Sequence, residues 1–397
     1  PGLKVDPDGR ISYNGKPISH LYVDGDDLLD DKYAIGTKTI PHGMVDQVEV
    51  LRNHQPRKVL QGKAISEDVA LNLKIKEEAK LALTGQAKPG VGIPELFDGE
   101  VNTILFNKSY KMLNAAKANN TGTDLSTELT AFGRADRMNA LGRSPLPELL
   151  YSGTVSAPAL PTNRYYFNRS GSLHANNMVT LNNGLQLRTN IGGWLDRNRL
   201  DYYSANDYFL AGDTIHYTEN QAIAQTPFLV DATVAAEHNR EKAYFNNALR
   251  LRYSGGSTQA TLLSSTRDMD QTLRNCMQDF SNTLEYIPQL QNGNLLSLNW
   301  SVSYLNRPQR LTVGPGFLPS IGSGPQPYER ARQETALPTW FSNLALGYQV
   351  PDGRIRQSYQ LTSSNEWQQL LSDLALTDGG TTLSGQPDFR NQLHWQR

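Results

Sequence analysis

The chain has 397 residues and a formal net charge of −1, from 38 basic and 39 acidic side chains. Because it lacks the basic excess of nucleic-acid-binding proteins, we expect no nucleic-acid partner. A mean hydropathy of −0.52 and the lack of any long apolar run exclude a helical membrane protein. The single Cys276 excludes an intrachain disulfide framework and a multi-cysteine metal site.

Residues 1–76 contain short apolar runs separated by turn residues. Leu3–Val5 and Ile11–Tyr13 flank Asp8-Gly9, a pair that favours a tight turn between two strands. In Val69–Ile75 every second residue is a large apolar one, which is typical of a strand with one buried face. The sequence therefore predicts a small mixed domain over residues 1–76. Its further predicted strands are Leu21–Val23 and Val45–Leu51.

Longer segments with the same alternation follow over residues 77–397. The clearest are Ser172–Leu181 and Leu185–Leu195, joined across Asn183-Gly184, which supplies the two positive-φ residues of a tight hairpin. Because side chains alternate faces along a strand, each strand has one apolar and one polar face. About ten residues per tilted strand is the length that crosses a bilayer in a β-barrel. We therefore predict an all-β fold with part of a transmembrane antiparallel β-barrel over residues 77–397.

The connections between these strands alternate in predicted length. Short turns on one side and long loops on the other are typical of outer-membrane barrels. Short turns are predicted at Asn183-Gly184, Asn239 and Asp352-Gly353, and long loops at residues 123–163, 198–226 and 306–338. The other predicted strands are Leu81–Ala87, Gly99–Asn107, Tyr110–Ala118, Phe228–Glu237, Tyr244–Tyr253, Gln259–Thr266, Ser281–Ile287, Leu295–Leu305, Trp340–Val350 and Ile355–Leu361.

The polar strand faces carry charged and amide side chains, opposite to leucine, tryptophan and tyrosine. In a barrel such side chains line a water-accessible lumen. In a soluble sheet they would instead face bulk water, and the apolar faces would need a second layer. The residues in question are Arg188, Asn190, Arg250, Arg252, Asn299 and Gln349.

Three stretches within residues 1–76 resemble the plug of TonB-dependent outer-membrane transporters, in the style found in Bacteroidetes. Pro1–Ile18 (PGLKVDPDGRISYNGKPI) and Leu21–Gly25 (LYVDG) are similar to the family run "PGv-v…dG-i-vnG-pi…vDG". Val45–Leu51 is similar to the plug strand "i-ieVl", and Asp68–Lys76 resembles the closing strand "aavINI-lK". The order and spacing of the three stretches match the family pattern.

This resemblance implies that residues 1–76 are the C-terminal part of a plug inside a 22-stranded barrel. It implies energised uptake of a solute across the outer membrane, with TonB as the periplasmic partner, outer-membrane lipid around the barrel and a surface lipoprotein at its mouth. The chain departs from the pattern at Arg52–Pro56, where the family has a Gly-rich turn. Roughly ten to twelve strands follow Lys80, fewer than the family needs. We therefore interpret the chain as part of a longer protein.

Two charged groups in residues 1–76 are the candidate substrate-binding residues. Asp24, Asp26 and Asp27 belong to an acidic cluster that continues to Asp31. Several carboxylates are the ligands that calcium prefers, but the spacing does not follow the EF-hand pattern, and a solvated plug loop is the favoured interpretation. No metal site is therefore predicted.

The basic group follows the predicted strand Val45–Leu51 and consists of Arg52, His54 and Arg57. These residues are candidates for contact with an anionic solute. The favoured interpretation is that they pair with acidic residues on the inner wall of the barrel.

No residue set in the sequence supports catalysis. The seven histidines are scattered without an HxH or HExxH pattern, and Gly90-Val91-Gly92 lacks the helix that a phosphate-binding loop requires. We therefore expect neither an enzyme nor a cofactor.

The sequence leaves three functional hypotheses. The first is TonB-dependent uptake through a plugged barrel. The second is a soluble β-rich protein such as a glycan binder. The third is a plugged barrel that serves as a scaffold in an outer-membrane assembly. An exposed hydrophobic band distinguishes the two barrel hypotheses from the soluble one.

Overall fold

The computed structural model describes residues 2–80, 83–132, 143, 145–265, 268–318, 326–351, 355–385 and 389–396. The predicted turn at Asp352-Gly353 lies outside these residues, as do parts of the predicted loops 123–163 and 306–338. Within the described ranges, no helix is both long enough and apolar enough to cross a membrane.

The N-terminal region, residues 2–80, holds two small sheets. One is antiparallel, in the order β1–β2–β3. The other has the order β4–β6–β5, with β6 parallel to β4 and antiparallel to β5. The elements are β1 (Leu3–Val5), β2 (Ile11–Tyr13), β3 (Lys16–Pro17), β4 (His20–Val23), α1 (Ala34–Thr39), β5 (Val45–Arg52), β6 (Val69–Ile75) and α2 (Glu77–Lys80), with 3₁₀ turns at His42–Met44 and Lys58–Leu60.

The five strands predicted in the N-terminal region are confirmed, whereas helix α1 was not predicted. Its residues include Gly36 and two threonines, which are poor helix formers, so the local sequence carries no helix signal. Burial explains the helix instead. Ala34, Ile35 and Gly36 are fully or almost fully buried, and Leu29 packs so close to Gly36 that a side chain there would overlap it.

The remaining strands form one large antiparallel sheet of sixteen strands, with a small separate hairpin of β18 and β19. The predicted all-β fold class is therefore confirmed. The strands are β7 (Thr84–Gly92), β8 (Leu96–Phe106), β9 (Tyr110–Asn119), β10 (Phe167–Thr180), β11 (Leu185–Leu210), β12 (Asp213–Gln225), β13 (Phe228–Asn239), β14 (Ala243–Ser264), β15 (Asp268–Pro288), β16 (Leu295–Asn306), β17 (Gln309–Gly314), β18 (Gly316–Leu318), β19 (Gln326–Tyr328), β20 (Arg330–Ala336), β21 (Thr339–Val350), β22 (Gln357–Asp378), β23 (Thr381–Gly385) and β24 (Phe389–Gln396).

At four places in this sheet, two shorter strands lie end to end beside the same long strand. Thus β13 and β12 both lie between β11 and β14, and β16 and β17 both pair with β15. The sheet is consequently about twice as tall as a bilayer-spanning strand requires, because β14, β15 and β22 each run for more than twenty residues. We call the part of the sheet that contains β12, β17 and β20 the upper storey, and the part that contains β13, β16 and β21 the lower storey. The long connection between β9 and β10 lies on the side of the upper storey.

Two predicted loops are wrong in part. Residues 198–226 form the end of β11 and all of β12, and residues 306–338 contain β17 and β20. Polar residues stand on both faces of the strands in these two segments, so an alternation of apolar and polar residues does not reveal them. Residues 123–163 are irregular apart from 3₁₀ turns at Leu125–Leu129 and Thr162–Arg164, as predicted for the described part of this loop. The separately predicted Tyr244–Tyr253 and Gln259–Thr266 are one strand, β14.

Burial on the two faces of the sheet is the reverse of that in a soluble protein. On β11, Arg188 and Asn190 are only 7% and 1% exposed, whereas Leu187 and Ile191 are 43% and 45% exposed. On β16 and β21 the buried residues include Ser301, Ser303 and Asn343, whereas Trp300 and Trp340 are exposed. The polar face is therefore the covered one, and the apolar face is open.

The polar face is covered by the N-terminal region, around which the sheet wraps. Side chains from β9, β11, β13 and β14 converge on the short segment of residues 24–32. The apolar core of the N-terminal region is continuous with the sheet, because Ile104, Phe106 and Leu113 of β8 and β9 belong to the same buried cluster as Leu21 and Tyr33.

Candidate functional site

The acidic segment of residues 24–31 lies between the N-terminal region and the inner face of the sheet. A left-handed backbone at Asp24 turns the chain after β4, and the Gly25 N–H donates to Asn72 Oδ1 at 2.8 Å. The Asp24 carboxylate faces back into its own domain. It accepts from the Ile75 N–H at 3.0 Å and lies 3.4 Å from Lys80 Nζ.

Asp26 and Asp27 face the sheet and meet basic residues there. The Asp26 carboxylate lies 2.6 Å from Lys111 Nζ on β9 and accepts from Gln186 Nε2 at 2.7 Å. The Asp27 carboxylate lies 3.5 Å from Arg188 Nη1 on β11, and the same guanidinium donates to the Asp27 carbonyl at 2.6 Å. Each buried charge therefore has a partner of opposite sign, as burial requires.

Two further charges extend this contact along the sheet. The Asp30 carboxylate lies 3.5 Å from Arg188 Nη2 and 3.0 Å from Arg250 Nη2, so it bridges β11 and β14. Lys32 pairs with Asp231 of β13, whose other carboxylate oxygen lies 3.1 Å from Arg252 Nη1. The predicted inward orientation of Arg188, Arg250 and Arg252 is confirmed. We call these contacts of Asp26, Asp27, Asp30 and Lys32 with the sheet the interface ion pairs.

The favoured interpretation of the acidic segment as a solvated loop is wrong for Asp26, Asp27 and Asp30. These carboxylates are largely buried, and their partners are lysine and arginine side chains on distant strands. Sequence reasoning could not have found these partners, because about 85 to 220 residues separate the members of each pair. Among the described residues no cluster of histidine, cysteine, aspartate and glutamate is placed to hold a metal ion.

The basic candidates Arg52, His54 and Arg57 occupy different surroundings. The predicted pairing with the inner wall is confirmed for Arg57, whose Nε and Nη2 lie 2.8 and 2.9 Å from the two carboxylate oxygens of Glu285 on β15. It is wrong for the other two. Arg52 donates to the Tyr13 hydroxyl, and His54 Nε2 lies 2.8 Å from the Tyr22 hydroxyl, both within the N-terminal region.

A cavity of about 1120 Å³ lies between the N-terminal region and the sheet. It brings together Asp26, Asp27, His54 and Arg57, whereas Asp24 and Arg52 are not among its lining residues. The cavity reaches the short turns at Gly184 and Asn239, so it opens toward the short-turn end of the sheet. Further lining residues that the sequence did not single out are His20, Tyr22, Glu237, Tyr244 and Asn246.

The pKa values of the two histidines in the cavity wall are shifted in opposite directions. Burial opposes the charged form of His20, but the hydrogen bond of its Nδ1 to Asp27 at 3.1 Å outweighs this, so its pKa lies above 6.5. Burial and the neighbouring His20 lower the pKa of His54 below 6.5. The charged form is therefore favoured at His20, beside the interface ion pairs, and disfavoured at His54.

At the opposite end, the long connection between β9 and β10 folds inward onto the sheet. Glu128 in the turn Leu125–Leu129 is buried, with its carboxylate 2.7 Å from Lys117 Nζ and 3.4 Å from His174 Nε2. Leu129 is buried against Gly192 of β11, where a β-carbon would overlap it. This turn also reaches the N-terminal region, because Lys38 Nζ donates to Thr127 Oγ1 at 3.1 Å.

No model of a known protein family and no curated protein matches the chain. Among solved structures, the siderophore receptor PiuA from Acinetobacter baumannii is similar at 10% identity and a TM-score of 0.37, over 100% of this chain and 57% of that one. FpvA of P. aeruginosa, in complex with a heterologous pyoverdine, gives 9% identity and a TM-score of 0.29, over 100% and 67%. The ferric-catecholate import receptor Fiu of E. coli K12 gives 11% identity and a TM-score of 0.22, over 99% and 76%. This chain thus spans less than two thirds of the length of PiuA, and we conclude nothing about its ligand from similarity this low.

Proposed function

We propose that this chain is part of an outer-membrane transporter that takes up a solute through a plugged β-barrel energised by TonB. In this proposal residues 1–76 are the C-terminal part of the plug and residues 77–397 are barrel strands. The protein carries a solute and catalyses no reaction. Outer-membrane lipid surrounds the barrel, TonB acts from the periplasm, and a surface lipoprotein is a further proposed partner.

The observation that carries the proposal is the reversed burial of the sheet. Leucine, isoleucine and tryptophan side chains are exposed on one face, while arginine, asparagine and serine are buried on the other. In water such a surface would be an aggregation hazard, whereas lipid is the solvent that matches it. The soluble glycan-binding alternative requires a layer over the apolar face, and the described strands carry none. The resemblance of residues 1–76 to Bacteroidetes-style plugs supports the same assignment.

The contact between plug and sheet is suited to reversible separation. Around residues 24–32 it consists of ion pairs and amide hydrogen bonds, such as those of Asp26, Asp30 and Gln186. Beside β8 and β9 it is apolar, with Ile104 and Leu113 in the shared core. Charged groups taken out of water carry a desolvation cost that their pairing roughly offsets, so both surfaces regain hydration when they part. The apolar part of the contact resists separation, so opening requires the energy that TonB supplies in this proposal.

We propose that the solute reaches the cavity lined by Asp26, Asp27, His54 and Arg57 once the interface ion pairs open. Asp24 and Arg52 remain proposed binding residues on the neighbouring surface of the plug. Short turns face the periplasm in outer-membrane barrels, so this cavity lies on the exit side of the path.

Energised gating can be tested without knowing the solute. Leu28 is fully buried at the contact between plug and sheet, where its carbonyl accepts from Asn190 Nδ2 at 2.8 Å. In a Cys276→Ser background, we would introduce Leu28→Cys into the full-length protein. Labelling by a polar maleimide would be timed in cells with and without a protonophore. Asp46→Cys, at an exposed position of β5, is the matched control.

Transport predicts that the thiol at position 28 is labelled faster in energised cells, while the control is labelled equally in both. Equal labelling at position 28, in a variant that still fractionates with the outer membrane, would contradict gating. That result would favour the scaffold hypothesis, in which the plug stays in place.

A further inference from the structure

An extended segment of the long β9–β10 connection lies across the inner face of the sheet. We call residues 145–155 the strap. It has no regular secondary structure, and it passes over three strands of the upper storey, β12, β15 and β17. This storey lies on the side of the long connections, which face the cell exterior in outer-membrane barrels.

Three buried glutamines of the sheet hold the main chain of the strap. Gln309 Oε1 accepts from the N–H groups of Leu149 and Leu150 at 2.8 and 3.1 Å, and its Nε2 donates to the Leu150 carbonyl at 2.7 Å. Gln271 Oε1 accepts from the Gly153 N–H at 2.9 Å. Gln221 Oε1 accepts from the Val155 N–H at 3.1 Å. We call these three residues the glutamine track.

One end of the strap is anchored by a charge and an apolar contact. Arg307 Nη1 donates to the Leu146 carbonyl at 3.2 Å, and its Nη2 lies 3.3 Å from the Glu148 carboxylate. The Leu146 side chain packs with Leu305 and Leu337 of the sheet. This contact fixes the register at which the strap enters the track.

The glutamine track contacts main-chain atoms, whereas several side chains of the strap are free of the sheet. Tyr151 is 76% exposed and Leu149 is also exposed, while Leu150 between them is 7% exposed. A primary amide offers one acceptor and two donors, the complement of a peptide unit. Recognition of this kind depends on the N–H and C=O groups of an extended chain and tolerates varied side chains.

We propose that the glutamine track is a binding site for an extended peptide, and that the strap is its internal occupant. This inference rests on the proposed transport function, because it names the substrate class that enters from the outside. A second cavity of about 510 Å³, lined in part by Gly256, Ser257 and Asn275, adjoins the track and leaves room for the side chains of a bound peptide. Asn275 is the register partner of Gln309.

A free peptide must compete with the strap for the glutamine track, and the strap is covalently joined to the sheet. A segment that belongs to the same chain as its site has an effective concentration there on the order of millimolar. A peptide equal to the strap is therefore expected to displace it at millimolar concentration, and at lower concentration when the track has been weakened.

The test measures how fast a thiol at position 150 of the strap is labelled, because that position is covered only while the strap lies on the glutamine track. In the full-length protein with Cys276→Ser, a thiol from Leu150→Cys is covered, while one from Tyr151→Cys is open and serves as the matched control. Labelling by a polar maleimide is timed without ligand and with the synthetic peptide PLPELLYSGTV, the sequence of residues 145–155. A second peptide of the same sequence carries N-methyl groups at the positions of Leu149 and Leu150, which removes the two donors to Gln309.

We expect the unmodified peptide to speed labelling of Leu150→Cys by about tenfold, and the N-methylated peptide to leave it unchanged. Gln309→Ala is expected to speed labelling by a similar factor without peptide. Gln333→Ala is its control, because Gln333 on β20 donates to Ser372 of the sheet, and we expect no change there. Tyr151→Cys should be labelled rapidly throughout.

Equal effects of the two peptides, or no effect of either, would overturn the peptide proposal. Each variant is also checked for outer-membrane location and for the gel-mobility shift on boiling that a closed barrel shows. If the shift is present but the peptide has no effect, only the substrate class is wrong. If the unmodified full-length protein shows no gel-mobility shift on boiling, the proposed transport function is wrong, and the peptide proposal that rests on it is wrong as well.

Discussion

At the scale of single residues, the molecule is organised by charges placed on opposite surfaces. The acidic side chains of the segment 24–31 belong to the N-terminal region, and their basic partners Lys111, Arg188 and Arg250 belong to the sheet. Removal of one member of a buried ion pair costs more than the pair contributes, because the remaining charge is left without a partner in a poor solvent.

The central member of the interface ion pairs is Asp30, which touches two arginines. We expect Asp30→Ala to lower the free energy of unfolding of the full-length protein by about 3–5 kcal/mol, because Arg250 loses its carboxylate partner and Arg188 keeps only Asp27. Denaturant unfolding of the detergent-solubilised protein measures this. Asp46→Ala removes an exposed carboxylate from the same region and should change stability by at most about 0.5 kcal/mol. Equal effects of the two substitutions would contradict the role of the interface ion pairs.

His20 gives the N-terminal region a pH dependence. Burial and Arg188 oppose its charge, but Asp27 and Asp30 outweigh them and raise its pKa. The Tyr22 ring stacks on His20, and the His54 ring meets it edge-on. A raised pKa in the folded state stabilises the fold fully below the unfolded value of ~6.5, and this contribution is lost as pH rises through the folded value.

We therefore expect His20→Gln, which keeps a donor for Asp27 without the charge, to lose more stability at acidic than at alkaline pH. Urea midpoints of wild type and variant at about pH 5.5 and about pH 8.5 measure this. The difference between the two proteins should shrink at the higher pH. A difference that is constant, or that grows with pH, would show that His20 carries no stabilising proton.

At the scale of elements, strand alternation predicts the lower storey of the sheet well and the upper storey poorly. Where one face meets the polar interior and the other is apolar, as in Leu185–Leu195, period-two alternation is plain. In residues 198–226 polar residues stand on both faces, so the alternation of apolar and polar residues is weak. The short strands of the N-terminal region can be predicted because turn residues such as Asp8-Gly9 mark their ends.

The inward turn Leu125–Leu129 depends on a missing side chain at Gly192. We expect Gly192→Val to push Leu129 off the sheet, because its β-carbon would overlap the leucine Cδ2. Limited proteolysis within residues 123–132 should then become faster. Gly193→Val places its side chain on the other face, where the nearest atom, a backbone oxygen, is 4.0 Å away, and should leave the cleavage rate unchanged. Faster cleavage in both variants would indicate general loosening of β11 instead.

The outer face of the sheet offers a matched pair of aliphatic residues, one in each storey. Ile191 and Leu263 are similarly exposed, at 45% and 48%, but only Ile191 lies in the proposed membrane-spanning part. We expect Ile191→Arg to destabilise the barrel by about 2–4 kcal/mol when it folds into lipid vesicles, because arginine is costly on a lipid-facing surface. Leu263→Arg should cost close to nothing. Equal tolerance of both would mean that the face around Ile191 does not contact lipid.

At the scale of the whole molecule, the sequence predicts the fold class but only part of the candidate site. Faces and turns are local properties, so the polar inner wall at Arg188 and Arg250 could be assigned from alternation. Pairing of Asp27 with Arg188, or of Gln309 with Leu150, joins residues that are 161 and 159 positions apart in the chain and depends on how the sheet closes. Local patterns carry no information about how the sheet closes. The sequence therefore favours a solvated acidic segment, whereas Asp26, Asp27 and Asp30 are largely buried.

The most direct test of the central claim is whether the apolar face of the sheet contacts the outer membrane in a closed barrel. Cells expressing the full-length gene would be fractionated, and the detergent-extracted protein run on a gel with and without boiling. The account predicts a protein in the outer-membrane fraction whose mobility shifts on boiling, because a closed barrel resists the detergent until heated. A water-soluble protein without a shift would contradict it, since its exposed leucine, isoleucine and tryptophan side chains would then have to be covered by something other than lipid.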